Sequence, residues 1–224
     1  KFKEISEEFK KILPVFGVHP LSNIFHESPI FLVEGEDDLR IWQQAIRTSN
    51  GRLKIYPCSV DSINHLDKYE KEVCQIINSI YESAKAYSLR DRDNAEEEIN
   101  DLPPVTRTRL SCRAAENLLL SDDVLSKLKI SWDELKSKIE SWLEKNPSHS
   151  HYSEMNNFKT SGYDRKNFKL KEIRNDLMGI LESNKPWEII VGQSIGNLTI
   201  NDSPSENSLQ AYLGNKLIEN VFNS

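Results

Sequence analysis

No run of about 20 apolar residues occurs in this 224-residue chain. The longest near the N-terminus is Ile30 to Val33, too short for a helical membrane span, and no secretory signal pattern is present. Cysteine is scarce: Cys58, Cys74 and Cys112 are odd in number, widely spaced and form no Cys-x-x-Cys pair. That excludes a disulfide framework or a zinc knuckle and points to a reducing, cytoplasmic setting. An excess of base is also missing. The 29 Lys and Arg against 35 Asp and Glu leave a net charge of −6, so bulk positive charge is not available to coat nucleic acid. Internal repeats, low-complexity tracts and a Gly-x-x-x-x-Gly-Lys-Ser/Thr phosphate loop are absent, and the first residue is Lys1 rather than Met. What is present is a polar chain long enough to bury roughly 70% of its unfolded surface around a core.

The hydrophobic pattern alternates strand and helix. Phe2, Ile5, Phe9, Ile12 and Leu13 repeat at a helical period ended by Pro14, and Pro14 to Ser28 is turn-rich. Pro29 to Glu34 reads as a buried strand, Asp37 to Ser49 as a helix, Arg52 to Cys58 as a second strand and Ile63 to Lys85 as a long amphipathic helix. Ala86 to Leu89 is a third strand, Thr106 to Cys112 a fourth, and Ala114 to Leu128 helical. This order predicts an α/β fold, a Rossmann-like parallel sheet flanked by helices, with ligands beyond the carboxyl ends of the strands. A helical stretch follows over about Ser131 to Ser183, opened by the capping box Ser131 to Glu134 and including a helix over Phe168 to Leu181. Trp187 to Val191 reads as a short strand, Asn201 to Ser208 as a loop and Leu209 to Phe222 as a terminal helix. Trp132, Trp142 and Trp187, with the three cysteines, read as core.

Two acidic segments fall where that sheet would place a site. In Val33-Glu34-Gly35-Glu36-Asp37-Asp38 the strand ends at Glu34, Gly35 allows a sharp turn, and Asp38 enters the first turn of the next helix. The same acids also suit a helix N-terminus for dipole reasons alone. In Leu89-Arg90-Asp91-Arg92-Asp93, residues two apart on a strand share a side, so Asp91 and Asp93 can aim at one point. Hard divalent ions such as Mg²⁺ take carboxylate oxygens of this kind, though an Asp-rich loop can also be merely solvated.

Taken together, Glu34, Gly35 and Asp38, then Asp91 and Asp93 some 55 residues on, resemble the TOPRIM domain of topoisomerases, primases and OLD-family nucleases. The stretch Arg113-Ala114-Ala115-Glu116-Asn117-Leu118-Leu119 looks like that of OLD-like TOPRIM nucleases in particular. The resemblance covers about Pro29 to Leu120 well and the remainder loosely. It implies that Glu34 is a general acid/base or metal ligand and that Asp38, Asp91, Asp93 and Glu116 complete a site for Mg²⁺ or Mn²⁺, with two ions. Two such ions activate water and relieve the leaving oxygen in phosphodiester hydrolysis. Lys216, in Gly214-Asn215-Lys216, is the matching candidate for neutralising the scissile phosphate.

The expected activity is metal-dependent DNA endonuclease. The runners-up are an RNA-processing or primase-type TOPRIM enzyme and an idle TOPRIM module that assembles with an ATPase. No tyrosine context marks a topoisomerase nucleophile. By the same resemblance, residues 1–28 are a helical linker, 29–128 the TOPRIM core, 129–185 a helical insertion and 186–224 a strand and helix completing the domain. An ABC-type ATPase is expected upstream or on a partner and would supply the only use of ATP. A role in anti-phage defence with a sensor subunit, and homo-oligomers, are further implied partners. From Lys159 to Arg174, six bases (Lys159, Arg165, Lys166, Lys169, Lys171, Arg174) face two acids with aromatics interleaved, a candidate DNA grip or an ordinary solvated helix. His149 and His151 form a His-x-His pair, a poor zinc site without other ligands.

Overall fold

The computed structural model describes residues 28–60, 63–80, 85–95, 97 and 99–222. The helix expected over Lys1 to Leu13, and all of the 1–28 linker but Ser28, lie outside them. Four strands form one parallel sheet: β1 (Ile30–Val33), β2 (Tyr56–Ser59), β3 (Ala86–Arg90) and β4 (Val105–Arg109), in the order β2-β1-β3-β4. The chain is α/β, with helices on both faces of the sheet.

Central strands of such a sheet are buried on both sides and read as unbroken apolar runs. β1 obeys this with Ile-Phe-Leu-Val, all buried. Its alternate residues serve different cores. Ile30 and Leu32 join Ala86, Val105 and Cys58 under α2 (Ile63–Ile80), which contributes Leu66 and Val73. Phe31 and Val33 join Tyr87 and Leu89 under α1 (Glu36–Thr48), which contributes Ile41, Trp42 and Ala45. Phe31 and Trp42 meet edge to face at 4.7 Å.

The chain after β4 differs from expectation in several places. The fourth strand ends at Arg109 rather than at Cys112. Ala114 to Leu128 splits into a 3-10 turn (Ala115–Leu120) and α3 (Asp122–Lys127), with extended Ser121 between them. α4 (Trp132–Lys145) is capped as expected, Ser131 Oγ accepting the Glu134 amide at 3.2 Å. α5 (Tyr152–Thr160) follows, and α6 covers only Arg174–Ile180 of the expected Phe168 to Leu181.

Trp187 to Val191 is no strand. It begins α7 (Trp187–Gly196), so residues 186–224 add helices rather than a strand to the sheet. A short apolar run suits either state; as a helix it packs against α1 through Gly192 and Gly196. A Cβ on either would lie 2.4 Å from a backbone oxygen of α1, of Ile41 and Ala45 respectively. Two helices that close leave no room for side chains between them. The terminal helix also breaks into α8 (Leu209–Leu213) and α9 (Asn215–Val221) at Gly214, whose φ of +90° favours glycine and where a Cβ would lie 2.6 Å from Ser111 Oγ. The helical stretch α4 to α6 shares one continuous core with the α1 face of the sheet through Leu135, Phe158, Leu177 and their neighbours.

Candidate metal centre at the sheet's switch point

In the order β2-β1-β3-β4, the chain leaves β1 towards β2 on one side, then returns past β1 to build β3 and β4 on the other. The carboxyl ends of β1 and β3 therefore flank the point where the winding reverses, the place where open α/β sheets leave a crevice. Glu34 follows β1 and Asp91 follows β3. They meet across that crevice: Glu34 Oε1 accepts the Asp91 amide at 3.1 Å.

The other three candidates are delivered by local structure. Asp38 lies in the first turn of α1, and its Oδ2 accepts the Gly35 amide at 3.2 Å. Gly35 itself is extended (φ −137°), so the sharp glycine turn expected there does not occur. Glu116 sits in the 3-10 turn after β4, whose start is tied to the crevice by the Ala115 amide donating to Asp91 Oδ1 at 3.0 Å. Asp91 and Asp93 are not strand neighbours on one face, because β3 ends at Arg90. Asp93 adopts a left-handed conformation (φ +49°) that aspartate tolerates, its amide donates to the Arg113 carbonyl at 2.7 Å, and its side chain is exposed at the rim.

All five carboxylates share one electrostatic field. Burial holds Asp91 well above the usual carboxylate range, and the charges of Asp38, Glu34, Glu116 and Asp93 add to it. Burial pushes Asp38 up to about 7, opposed by the Gly35 amide and reinforced by Glu34 and Glu116. Glu34 is raised by burial, partly offset by the Asp91 amide and by Arg90 and Arg109. Among the described residues neither Asp38 nor Asp91 has an ion-pair partner. At the cluster's edge Arg174, at the start of α6, lies 3.1 Å from Asp37 and 3.7 Å from Glu116, over the Trp187 ring. Oxygen donors in excess of local positive charge suit a hard divalent cation such as Mg²⁺ or Mn²⁺ by their chemistry, although no three of these carboxylates bring oxygens within 4.8 Å of one another, so holding an ion requires their side chains to close in.

The remaining candidates are placed differently. Lys216, in α9, pairs with Asp101 at 2.8 Å and contacts the Ile99 carbonyl at 3.4 Å. Although partial burial opposes it, that pairing holds Asp101 below its usual pKa. Arg165 is buried: it donates to the Leu120 carbonyl at 3.1 Å, pairs with Asp122 at 2.7 Å and covers the Trp132 ring. Its guanidinium holds α3 and α4 together instead of facing solvent. Arg174 is engaged by Asp37 and Glu116. Lys159 pairs with Glu140, Lys169 with Glu172, and Lys166 lies over the Tyr212 ring, while Lys171 is exposed. Asn117 is a further structural residue of the resemblance motif. Fully buried, it donates to the Arg165 and Phe168 carbonyls at 3.0 and 2.9 Å and so locks the basic segment against the 3-10 turn. Asp37 and its link to Arg174 were not legible from spacing, since 137 residues separate the two.

No protein-family model matches the chain, and no curated protein matches it. Among solved structures, it is similar to the C-terminal region of the Xanthomonas campestris pv. campestris OLD protein, at 16% identity and a TM-score of 0.42, over 90% of this chain and 95% of that one.

Proposed function

We propose that this chain is a divalent-metal-dependent nuclease domain of the TOPRIM kind, hydrolysing phosphodiester bonds of DNA. The observation that carries this reading is the convergence of Glu34, Asp38 and Asp91, each with a raised pKa, on the β1/β3 crevice. Carboxylates that repel one another in a half-buried cleft are costly unless a cation joins them, and such costs collect at functional sites. In this reading Glu34, Asp38, Asp91, Asp93 and Glu116 hold Mg²⁺ or Mn²⁺. The bound ions supply charge neutralisation for phosphate and acidified water.

The chain's own groups do the rest. The Asp91 and Ala115 amides fix the rotamers of Glu34 and Asp91, so the oxygens are aimed before substrate arrives. Glu34, its pKa raised mainly by burial, is the group placed to act as general acid or base. Lys159, Lys166, Lys169 and Lys171 are the bases left to approach the nucleic-acid backbone. Lys216 would have to leave Asp101 to reach a phosphate, so it has no assigned step. An OLD-like arrangement with an ATPase, supplied upstream or by a partner, belongs to the same reading.

The test is cleavage of plasmid, single-stranded DNA and RNA with Mg²⁺ or Mn²⁺, by the full-length protein with its partners. DNA cleavage that falls about a hundredfold or more in Asp91→Ala supports the reading. Cleavage confined to RNA moves the substrate, and an Asp91→Ala variant as active as wild type overturns the site.

A further inference from the structure

The tightest metal-ligating group among the described residues lies elsewhere. His149, His151 and Asp176 bring one donor atom each to within 4.8 Å of one another. The two histidines belong to the segment between α4 and α5, and Asp176 stands in the first turn of α6. Each oxygen of the Asp176 carboxylate faces a different imidazole: Oδ2 lies 2.7 Å from His151 Nδ1, and Oδ1 lies 3.7 Å from His149 Nε2. The carboxylate is 16% exposed and the rings 37% and 40%, so the group has a shielded floor and an open side. Trp142 stands edge-on to His149 with ring centres 5.0 Å apart. The ligand that the His-x-His pair lacked in the sequence comes from 25 residues downstream of His151.

We propose that His149, His151 and Asp176 bind one borderline divalent transition ion, Zn²⁺ foremost, at a site separate from the carboxylate crevice. Two imidazoles and one carboxylate select Zn²⁺, Co²⁺, Ni²⁺ or Cu²⁺ over Mg²⁺, because hard ions prefer all-oxygen shells. Ligand bonds of about 2.0–2.1 Å in tetrahedral geometry put donors about 3.3 Å apart. The three donor atoms, one from each residue, already lie within 4.8 Å of one another, so small side-chain rotations bring them to that spacing. The fourth position faces solvent. In the metal-free protein His149 Nδ1 accepts the His151 amide at 3.2 Å, which leaves its proton on Nε2. Ligation through Nε2 moves that proton to Nδ1 and gives up this exposed bond. The ion ties the α4–α5 segment to α6, two residues after Arg174, the side chain that meets Glu116 and Asp37.

The experiment uses the full chain in excess Mg²⁺, so that the carboxylate crevice is occupied by a hard ion. Zn²⁺ retained after desalting and Co²⁺ absorption in the visible region are then measured. One Zn²⁺ per chain, a tetrahedral Co²⁺ spectrum and quenching of Trp142 emission by Co²⁺ are expected. The His149→Gln/His151→Gln variant should weaken Zn²⁺ binding about tenfold or more, whereas Asp91→Asn should leave it unchanged. Absence of Zn²⁺ binding in wild type, or binding that survives the double variant but not Asp91→Asn, overturns the proposal. If the double variant does not fold, Trp142→Phe decides: loss of the Co²⁺-dependent quenching supports the site, and quenching undiminished overturns it.

Discussion

Two groups of charged residues lie within one sheet of each other and are built on opposite principles. On the α2 face, Glu70 is wholly buried and surrounded by donors: Ser88 Oγ and Arg90 Nη1 at 2.5 Å, Arg107 Nε at 2.7 Å and Arg107 Nη2 at 2.6 Å. Asp67 closes the network onto Arg90 at 2.6 Å. At the carboxyl ends of β1 and β3, Glu34, Asp38 and Asp91 are half-buried, hold mainly backbone amides and repel one another. Arg90 belongs to the first group and Asp91, the next residue, to the second. The strand's alternation sends Ser88 and Arg90 to the α2 side, and the end of the strand releases Asp91 into the crevice. A buried charge with complementary partners is a structural unit. A buried surplus of one sign stores a demand for a counter-ion.

Breaking the first group should have the largest effect on stability. Arg90→Met leaves Glu70 with fewer partners in a dry environment and should cost about 3–5 kcal/mol in denaturant unfolding. A loss below about 1 kcal/mol would mean that Arg107 and Ser88 suffice.

The crevice should respond to cations instead. Mg²⁺ or Mn²⁺ at roughly a hundred times its dissociation constant should stabilise the protein by about 2.7 kcal/mol. Asp91→Asn should remove most of that gain while folding normally without metal. A metal-induced shift of the melting temperature unchanged by Asp91→Asn would place the ion elsewhere.

The smallest effect is the pH dependence, and its sign distinguishes the groups. The folded pKa of Asp38 is raised from 3.8 to about 7 by burial, so its contribution favours the protonated native state. That contribution is fully present below the unfolded value and is lost as pH rises through about 7. Metal-free protein should therefore lose on the order of 2 kcal/mol between about pH 5 and pH 8, and Asp38→Asn should flatten the slope. Added Mg²⁺ should flatten it as well, because the ion binds the ionised form. Stability rising over that interval in the metal-free protein would show that paired carboxylates dominate.

Much of the α/β core was legible from the residues. The all-apolar β1, the amphipathic α1 and α2 and the Ser131 cap are local patterns, since each depends on neighbours within a turn or a strand pair. Trp187 to Val191 was misread because a five-residue apolar run is compatible with strand or helix. In the fold it is the start of a helix, packed against α1 through Gly192 and Gly196. Glu34, Asp38, Asp91, Asp93 and Glu116 could be named as candidates from their order and spacing together with the TOPRIM resemblance. Their separation into Glu34, Asp38 and Asp91, held by amides, and Asp93, turned to the rim by its left-handed backbone, could not. Arg165 has the sequence context of a surface base, yet its pairing with Asp122 and the Leu120 carbonyl draws it inside.

By itself the sequence determined which chemical groups are carried on which kind of element, because periodicity, caps and turns are written within a few residues. It placed acids after the first and third strands and a His-x-His pair after α4. The tertiary structure decided which charges are balanced. Arg90 and Arg107 reach Glu70, Arg174 reaches Glu116 across the crevice's edge, and Asp176 reaches both histidines. Each of these pairings joins residues at least 20 apart in the chain. Packing of the apolar faces brings them together, and no local pattern encodes that.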